Sequence, residues 1–149
     1  MAELKLHQIT KTFGKTPVLR GISMSVASGE LLVLVGPSGC GKSSLMNTIA
    51  GLETPSSGTI HFGGEDITHL SPRDRDMSMV FQSYALYPNM NVRQNMEFGL
   101  KMRGVSKAKR ITEVQRVAQM LQISHLLARR PGQLSGGQRQ RVAMGRALV

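Results

Sequence analysis

Acidic residues are scarce in this chain: nine Asp and Glu stand against nineteen Lys and Arg, a net charge of +10 over 149 residues. Tryptophan is absent and aromatics make up only 4%. A basic surface interleaved with aromatic platforms, as single-stranded nucleic acid needs, is therefore missing. The single cysteine, Cys40, excludes a disulfide framework and fits a reducing cytoplasm. No apolar run approaches the ~18 residues needed to cross a bilayer. The start, Met-Ala-Glu-Leu-Lys-Leu-His, lacks the apolar core of a signal peptide. The four histidines, His7, His61, His69 and His125, show no metal-ligand spacing. Internal repeats and low-complexity tracts are lacking too. What is left is a chain of ordinary apolar content, long enough for one soluble globular domain with a real core.

The charge is unevenly placed. Residues 1–97 hold eight Lys and Arg against eight acids, whereas residues 98–149 hold eleven against one, Glu113. A basic half points to nucleic acid, to an anionic membrane surface, or to acidic partners that lie outside this chain.

Gly36-Pro37-Ser38-Gly39-Cys40-Gly41-Lys42-Ser43 satisfies every fixed position of the phosphate-loop pattern. Glycines let backbone N–H groups approach phosphate oxygens. Lys42 can reach the β- and γ-phosphates as a point charge, and the Ser43 hydroxyl suits a magnesium ion bridging them. The flanks fit as well. Glu30 to Val35 reads as a buried parallel strand, and Lys42 to Ala50 as a helix stopped by Gly51. A glycine loop between a strand and a helix N-terminus is an anion site.

Elsewhere Glu3 to Ile9, Val18 to Val26, Thr59 to Phe62 and Met77 to Phe81 read as strands, with Phe13-Gly14 in the turn between the first two. From Val92 the period becomes helical. Val92, Met96 and Leu100 mark one helix, ended by Gly104. Ser106 is placed to cap a second carrying Ile111, Val114, Val117, Ala118 and Leu121. Pro131-Gly132 breaks the chain before a third, opened by Gly136-Gly137. Met96, Met102 and Met120 are expected to fill the core.

Leu134-Ser135-Gly136-Gly137-Gln138 places a hydroxyl, free N–H groups and a helix dipole where an anion could sit, though alone it reads equally as an ordinary N-cap. Behind a phosphate loop, with Gln82 between them, it resembles the signature of ATP-binding cassette (ABC) proteins. The likeness covers essentially the whole chain. Phe13, in Lys11-Thr12-Phe13-Gly14, resembles the aromatic that stacks on adenine. Gly36 to Ser44 resembles the phosphate loop, including Pro37, Ser38, Gly39, Cys40, Gly41 and Ser44. Gln82 resembles the lid glutamine that touches magnesium or the attacking water. Residues 72–88, with Asn95 and Phe98 to Lys101, resemble the ATPase subunits of sugar importers of the maltose and glycerol-phosphate type.

The resemblance implies an α/β fold: a phosphate-loop ABC core with an N-terminal antiparallel β part and a helical subdomain. It implies one incomplete nucleotide-binding domain over 1–149, with the core over about 1–85 and the helical part over 86–149. ATP and Mg2+ are the implied cofactors. Lys42 and Gln82 would act at the reacting phosphate, and Ser43 and Gln82 would serve the metal. The implied partners are a second ABC ATPase subunit, paired head to tail so that Ser135, Gly136, Gly137 and Gln138 close on its ATP, and transmembrane permease subunits. The place would be peripheral, on the cytoplasmic face of the inner membrane, with no nucleic acid partner. The family's acidic strand ending Asp-Glu, its aspartate loop and its switch histidine have no counterpart here. The chain alone is therefore expected to hydrolyse ATP hardly at all, and Leu31 to Val35 to keep an unpaired edge. The Cys40 thiol, near a helix start, is expected to make ATP binding sensitive to alkylation. A truncated product without activity, or an ABC-type ATPase acting on nucleic acid, are the alternative readings.

Overall fold

A computed structural model describes residues 2–149. The chain divides into two compact units, residues 1–77 and 78–149.

The first unit is built on an antiparallel sheet of four strands in the order β2-β1-β3-β4. Strand β1 spans Leu4–Phe13, β2 Thr16–Val26, β3 Ser57–Phe62 and β4 Glu65–Asp66. β1 is central and pairs with both β2 and β3. Leu6, Ile9, Leu19 and Ile60 face inward, Leu6 and Ile9 both doing so because the pairing with β2 shifts register between them, where Gln8 is left-handed at φ 48; Leu45 and Ile67 join them in one core. Leu45 lies on helix α1, Lys42–Ile49, which ends at Ala50 as expected, with Gly51 in the left-handed region at φ 79.

Two expected strands are not formed. Glu30 to Val35 and Met77 to Phe81 carry no ladder hydrogen bonds and lie outside the sheet. Leu31 is 88% exposed and Val35 90%. The physical reason is pairing: a buried parallel strand needs hydrogen-bonded neighbours, and neither segment is paired in the sheet. Leu31 to Val35 therefore has no strand edge at all, because it belongs to no sheet. Apolar composition does not supply a partner.

The second unit is helical. Helix α2 spans Val92–Met102, α3 Lys107–Met120 and α4 Gly136–Leu148. Val92, Met96, Val114, Val117, Ala118, Ile123, Leu126, Leu134 and Val142 form its core. Residues three and four apart share a helix face, which brings Val92 with Met96 and Val114 with Val117 and Ala118 inward, while Ile123, Leu126 and Leu134 come from the segments between α3 and α4. Asn91 with Gln94 and Ser135 with Gln138 make reciprocal capping boxes that satisfy the first amides of α2 and α4. Ser106 does occupy the N-cap of α3, but its side chain makes no cap hydrogen bond. Of the three methionines expected inside, only Met96 is buried. Met102 and Met120 point to solvent, off the apolar face of their helices.

Candidate functional site

The phosphate loop is shaped by two left-handed glycines, Gly39 at φ 79 and Gly41 at φ 95. Gly41 is the N-cap of α1 and has no side chain to offer, so no cap hydrogen bond occupies the first turn of the helix. A Cβ at Gly41 would lie 3.2 Å from the Val18 carbonyl oxygen and from a Leu19 methyl. The loop therefore packs its backbone directly on β2. Phe13 pairs with Thr16 at the turn of the β1–β2 hairpin, which puts it at the same end of that hairpin as the loop.

Lys42 is folded over the loop. Its Nζ donates to the carbonyls of Gly36 and Pro37, both at 2.7 Å, and lies 3.3 Å from Cys40 Sγ. These carbonyls are neutral acceptors. An oxyanion in the loop would offer the ammonium a charge-assisted bond, roughly twice as strong, in their place. Ser43 is exposed at the helix start. No carboxylate stands in the first turn of α1, so nothing acidic competes for the dipole or the free amides. The arrangement is an anion cradle with a cation folded over it.

Phe13 is 44% exposed, with the Lys11 ammonium 4.9 Å from its ring centroid. Lys11 is itself fixed by Glu53 at 3.0 Å and by the Thr54 carbonyl at 2.7 Å. Among the described residues no cluster of three or more His, Cys, Asp or Glu could hold a metal ion. A divalent cation here would take Ser43 as a protein ligand and complete its oxygen shell with phosphate and water, the habit of magnesium.

The remaining predicted site residues fall in the second unit. Gln82 is exposed in a turn closed by Tyr84 N–H donating to the Phe81 carbonyl at 2.9 Å. Tyr84 and Ala85 follow at φ 63 and φ 45, left-handed conformations that side-chain-bearing residues hold only when surroundings impose them. The surroundings are visible. Arg146 of α4 donates to the Ala85 carbonyl at 2.6 Å and lies over the Tyr87 ring, 5.6 Å from its centroid. Asn95, fully buried, accepts from Tyr87 N–H and donates to the carbonyls of Tyr87, Met90 and Asn91. α4 thus holds the segment after Gln82 while its own N-terminus carries Ser135, Gly136 and Gly137. Sequence reasoning gave neither Arg146 nor Asn95 these roles, because side-chain bonds to backbone carbonyls leave no spacing signature.

Ser135 Oγ accepts from Gln138 N–H at 3.3 Å, and Gln138 Oε1 accepts from Ser135 N–H at 3.0 Å. The motif is an N-cap with a reciprocal capping box, and Gly136 and Gly137 lie at the surface. Gly136 and Gly137 are exposed, have no positive φ, and would meet nothing if they carried a Cβ. Nothing in this unit requires glycine there, although glycine costs a helix roughly 0.5–1 kcal/mol relative to alanine. Close approach by something outside the unit is what bare backbone at that place would serve.

A family model described as ABC transporter matches residues 19–149. The chain is 58% identical over its whole length to the sn-glycerol-3-phosphate import ATP-binding protein UgpC of Burkholderia pseudomallei (strain 1710b), and spans 42% of that protein. It is 54% identical to UgpC 1 of Rhizobium etli, again over its whole length and 43% of that protein. The chain therefore spans less than half of the curated relatives it matches. Among solved structures it is similar to a dimeric bacterial ABC transporter cassette, at TM-score 0.87 and 30% identity, covering 97% of this chain and 68% of that one. A nucleotide-free ATP-binding cassette from an ABC transporter gives TM-score 0.85 and 32% identity, covering 99% of this chain and 65% of that one.

Proposed function

Because this chain belongs to the ABC transporter family, we propose that it is the nucleotide-binding part of an importer ATPase subunit and that it grips the triphosphate of ATP in the Gly36–Ser44 loop. The observation that carries this reading is the Gly41-capped start of α1 with Lys42 Nζ resting on the Gly36 and Pro37 carbonyls. A phosphate tail gives that ammonium a better acceptor and gives the free amides of the helix start an anion. Phe13 stacks on the base, and Ser43 and Gln82 serve the magnesium that travels with the nucleotide. Gln82 and Lys42 act at the γ-phosphate.

Ser135, Gly136, Gly137 and Gln138 serve ATP bound by a second subunit, paired head to tail. The bare, exposed backbone of Gly136 and Gly137 supports that role, and the similar cassette solved as a dimer agrees with it. None of the assigned site residues is a carboxylate able to activate water. Binding is therefore the activity assigned to these residues, and fast hydrolysis is assigned to an assembly that supplies such a base. The likeness to glycerol-phosphate import proteins supports a sugar or sugar-phosphate as the imported solute. The partners would be membrane-embedded permease subunits, met by the segment after Gln82, with this subunit peripheral on the cytoplasmic face of the inner membrane. Coupling then follows from closure of two subunits on ATP and release after hydrolysis.

Titration calorimetry of MgATP into the 149-residue chain tests the reading. Binding is expected for the wild type and its loss for Lys42→Ala. Equal affinity in the two proteins overturns it.

A further inference from the structure

Arg75 lies outside the site described above, yet its guanidinium makes four hydrogen bonds to backbone carbonyls. It is 3% exposed. Its Nε donates to the Leu70 carbonyl at 3.0 Å and its NH2 to the Thr68 carbonyl at 2.9 Å. Its NH1 donates to the carbonyls of Thr48 at 2.9 Å and Ile49 at 2.8 Å. The last two are the final carbonyls of α1, where the helix dipole is negative; the Thr48 carbonyl also accepts from Gly51 N–H at 3.2 Å. Burial lowers the Arg75 pKa from its ordinary value, but a guanidinium stays protonated in proteins.

The fork joins two pieces of backbone. One side holds α1. The other holds residues 68–70, which are themselves fixed to the sheet: Thr68 Oγ1 accepts from Ile60 N–H at 2.8 Å, and Ile67 N–H donates to the Ile60 carbonyl at 2.9 Å. Gly51, just beyond α1, is cut away to admit the guanidinium. A Cβ there would sit 2.5 Å from Arg75 Nε. A lysine, with one compact ammonium, cannot reach both sides at once.

This matters for the loop because of what the loop lacks on its other side. Glu30 to Val35, which leads into it, is in no sheet. Apart from the packing of Leu34 on the core, the position of the phosphate loop is set from downstream, through α1. That helix is seated by Gly41 on β2, by Leu45 and Thr48 on its buried face, and by Arg75 at its end.

We propose that Arg75 is a positioning residue for the phosphate loop: it clamps the C-terminal carbonyls of α1 to the segment after β4 and so fixes where the helix presents Lys42 and its amides. The proposal rests on the nucleotide reading of the loop, but its test does not depend on that reading alone. The 149-residue chain is prepared as wild type, Arg75→Lys and Arg75→Gln. Each is measured for MgATP affinity by calorimetry, for folding by circular dichroism, and for the amide resonances of Gly39, Gly41 and Lys42 without nucleotide. Both variants are expected to shift the loop amides and to weaken MgATP binding about tenfold or more, a loss of about 1.4 kcal/mol. Should Arg75→Gln fail to fold, Arg75→Lys, which keeps the charge and part of the bonding, decides. Loop amides unmoved in a folded variant, with only the melting temperature lowered, overturn the clamp. If the wild type binds no MgATP, the nucleotide reading falls, while displaced loop amides in the variants still sustain the clamp.

Discussion

The two units solve the same problem with opposite success. Residues 78–149 bury nine core side chains among themselves and cap α2 and α4 with their own side chains. Residues 1–77 assemble a sheet around Ile9 and Ile60, yet leave the apolar run Leu31 to Val35 largely in solvent. The difference is one of bonding range. A helix satisfies its backbone within itself, so an amphipathic helix needs only apolar faces to meet. A strand satisfies its backbone only through a neighbouring strand, which the tight turn after Phe13 supplies for β1 and β2 but which no sheet partner supplies for Leu31 to Val35. The helical unit is self-sufficient, and the phosphate-loop unit asks for something it does not contain.

The sharpest way to break this contrast is in the helical core. Leu126→Ala should cost about 2–5 kcal/mol, the range for truncating a fully buried leucine, as read by urea unfolding. Leu126 is 1% exposed and packed in the cluster of α2, α3 and α4. A loss near zero would mean the unit is looser than its core implies. Asn95→Ala comes next, at roughly 1–3 kcal/mol, the cost of leaving buried backbone groups unpaired. It removes one acceptor and three donor contacts at Tyr87, Met90 and Asn91.

Ser135→Ala should cost about 1 kcal/mol through the lost cap. Denaturant unfolding checks that figure, and it separates the stabilising role of the hydroxyl from any role toward nucleotide. A smaller effect concerns Asp66 in the first unit. The Thr68 hydroxyl, and after it the Thr68 N–H, hold the Asp66 carboxyl below its ordinary value. A carboxyl lowered in the folded state adds stability above its unfolded pKa and loses it as pH falls through the folded value. Thermal melts across the acid range should therefore show a slightly shallower decline for Asp66→Asn than for wild type. Identical pH profiles would remove the contribution.

The contrast also explains what could be read from the chain. The helices α2, α3 and α4, the β1–β2 hairpin and α1 follow from periodicity, glycine stops and N-cap residues, all local signals. The phosphate loop was legible because its chemistry is contiguous. Glu30 to Val35 and Met77 to Phe81 were misjudged because apolar composition says that a segment wants burial, not that a neighbour is there to bury it. Met102 and Met120 were misplaced because methionine sits on either face of a helix. Arg75, Asn95 and Arg146 were invisible as a class: each works by donating to carbonyls, and every residue has a carbonyl.

One substitution made in both units tests the comparison directly. Val33 is 68% exposed, whereas Val117 is fully buried in α3. Valine to threonine keeps the branched shape and replaces a methyl with a hydroxyl. At Val117 the hydroxyl enters an apolar core, and the expected cost is about 1–3 kcal/mol. At Val33 the hydroxyl meets water, and the change should stay within about 0.5 kcal/mol. Chemical denaturation of Val33→Thr and Val117→Thr side by side reads the difference. If Val33→Thr costs as much as Val117→Thr, then Val33 is covered in solution, and the run Leu31 to Val35 has found a strand to pair with, a second copy of the chain being the first to check by the concentration dependence of the loss. If the gap is as expected, Val33 adds little to the stability of the chain by itself, in contrast to Leu34 of the same run, which packs on the core.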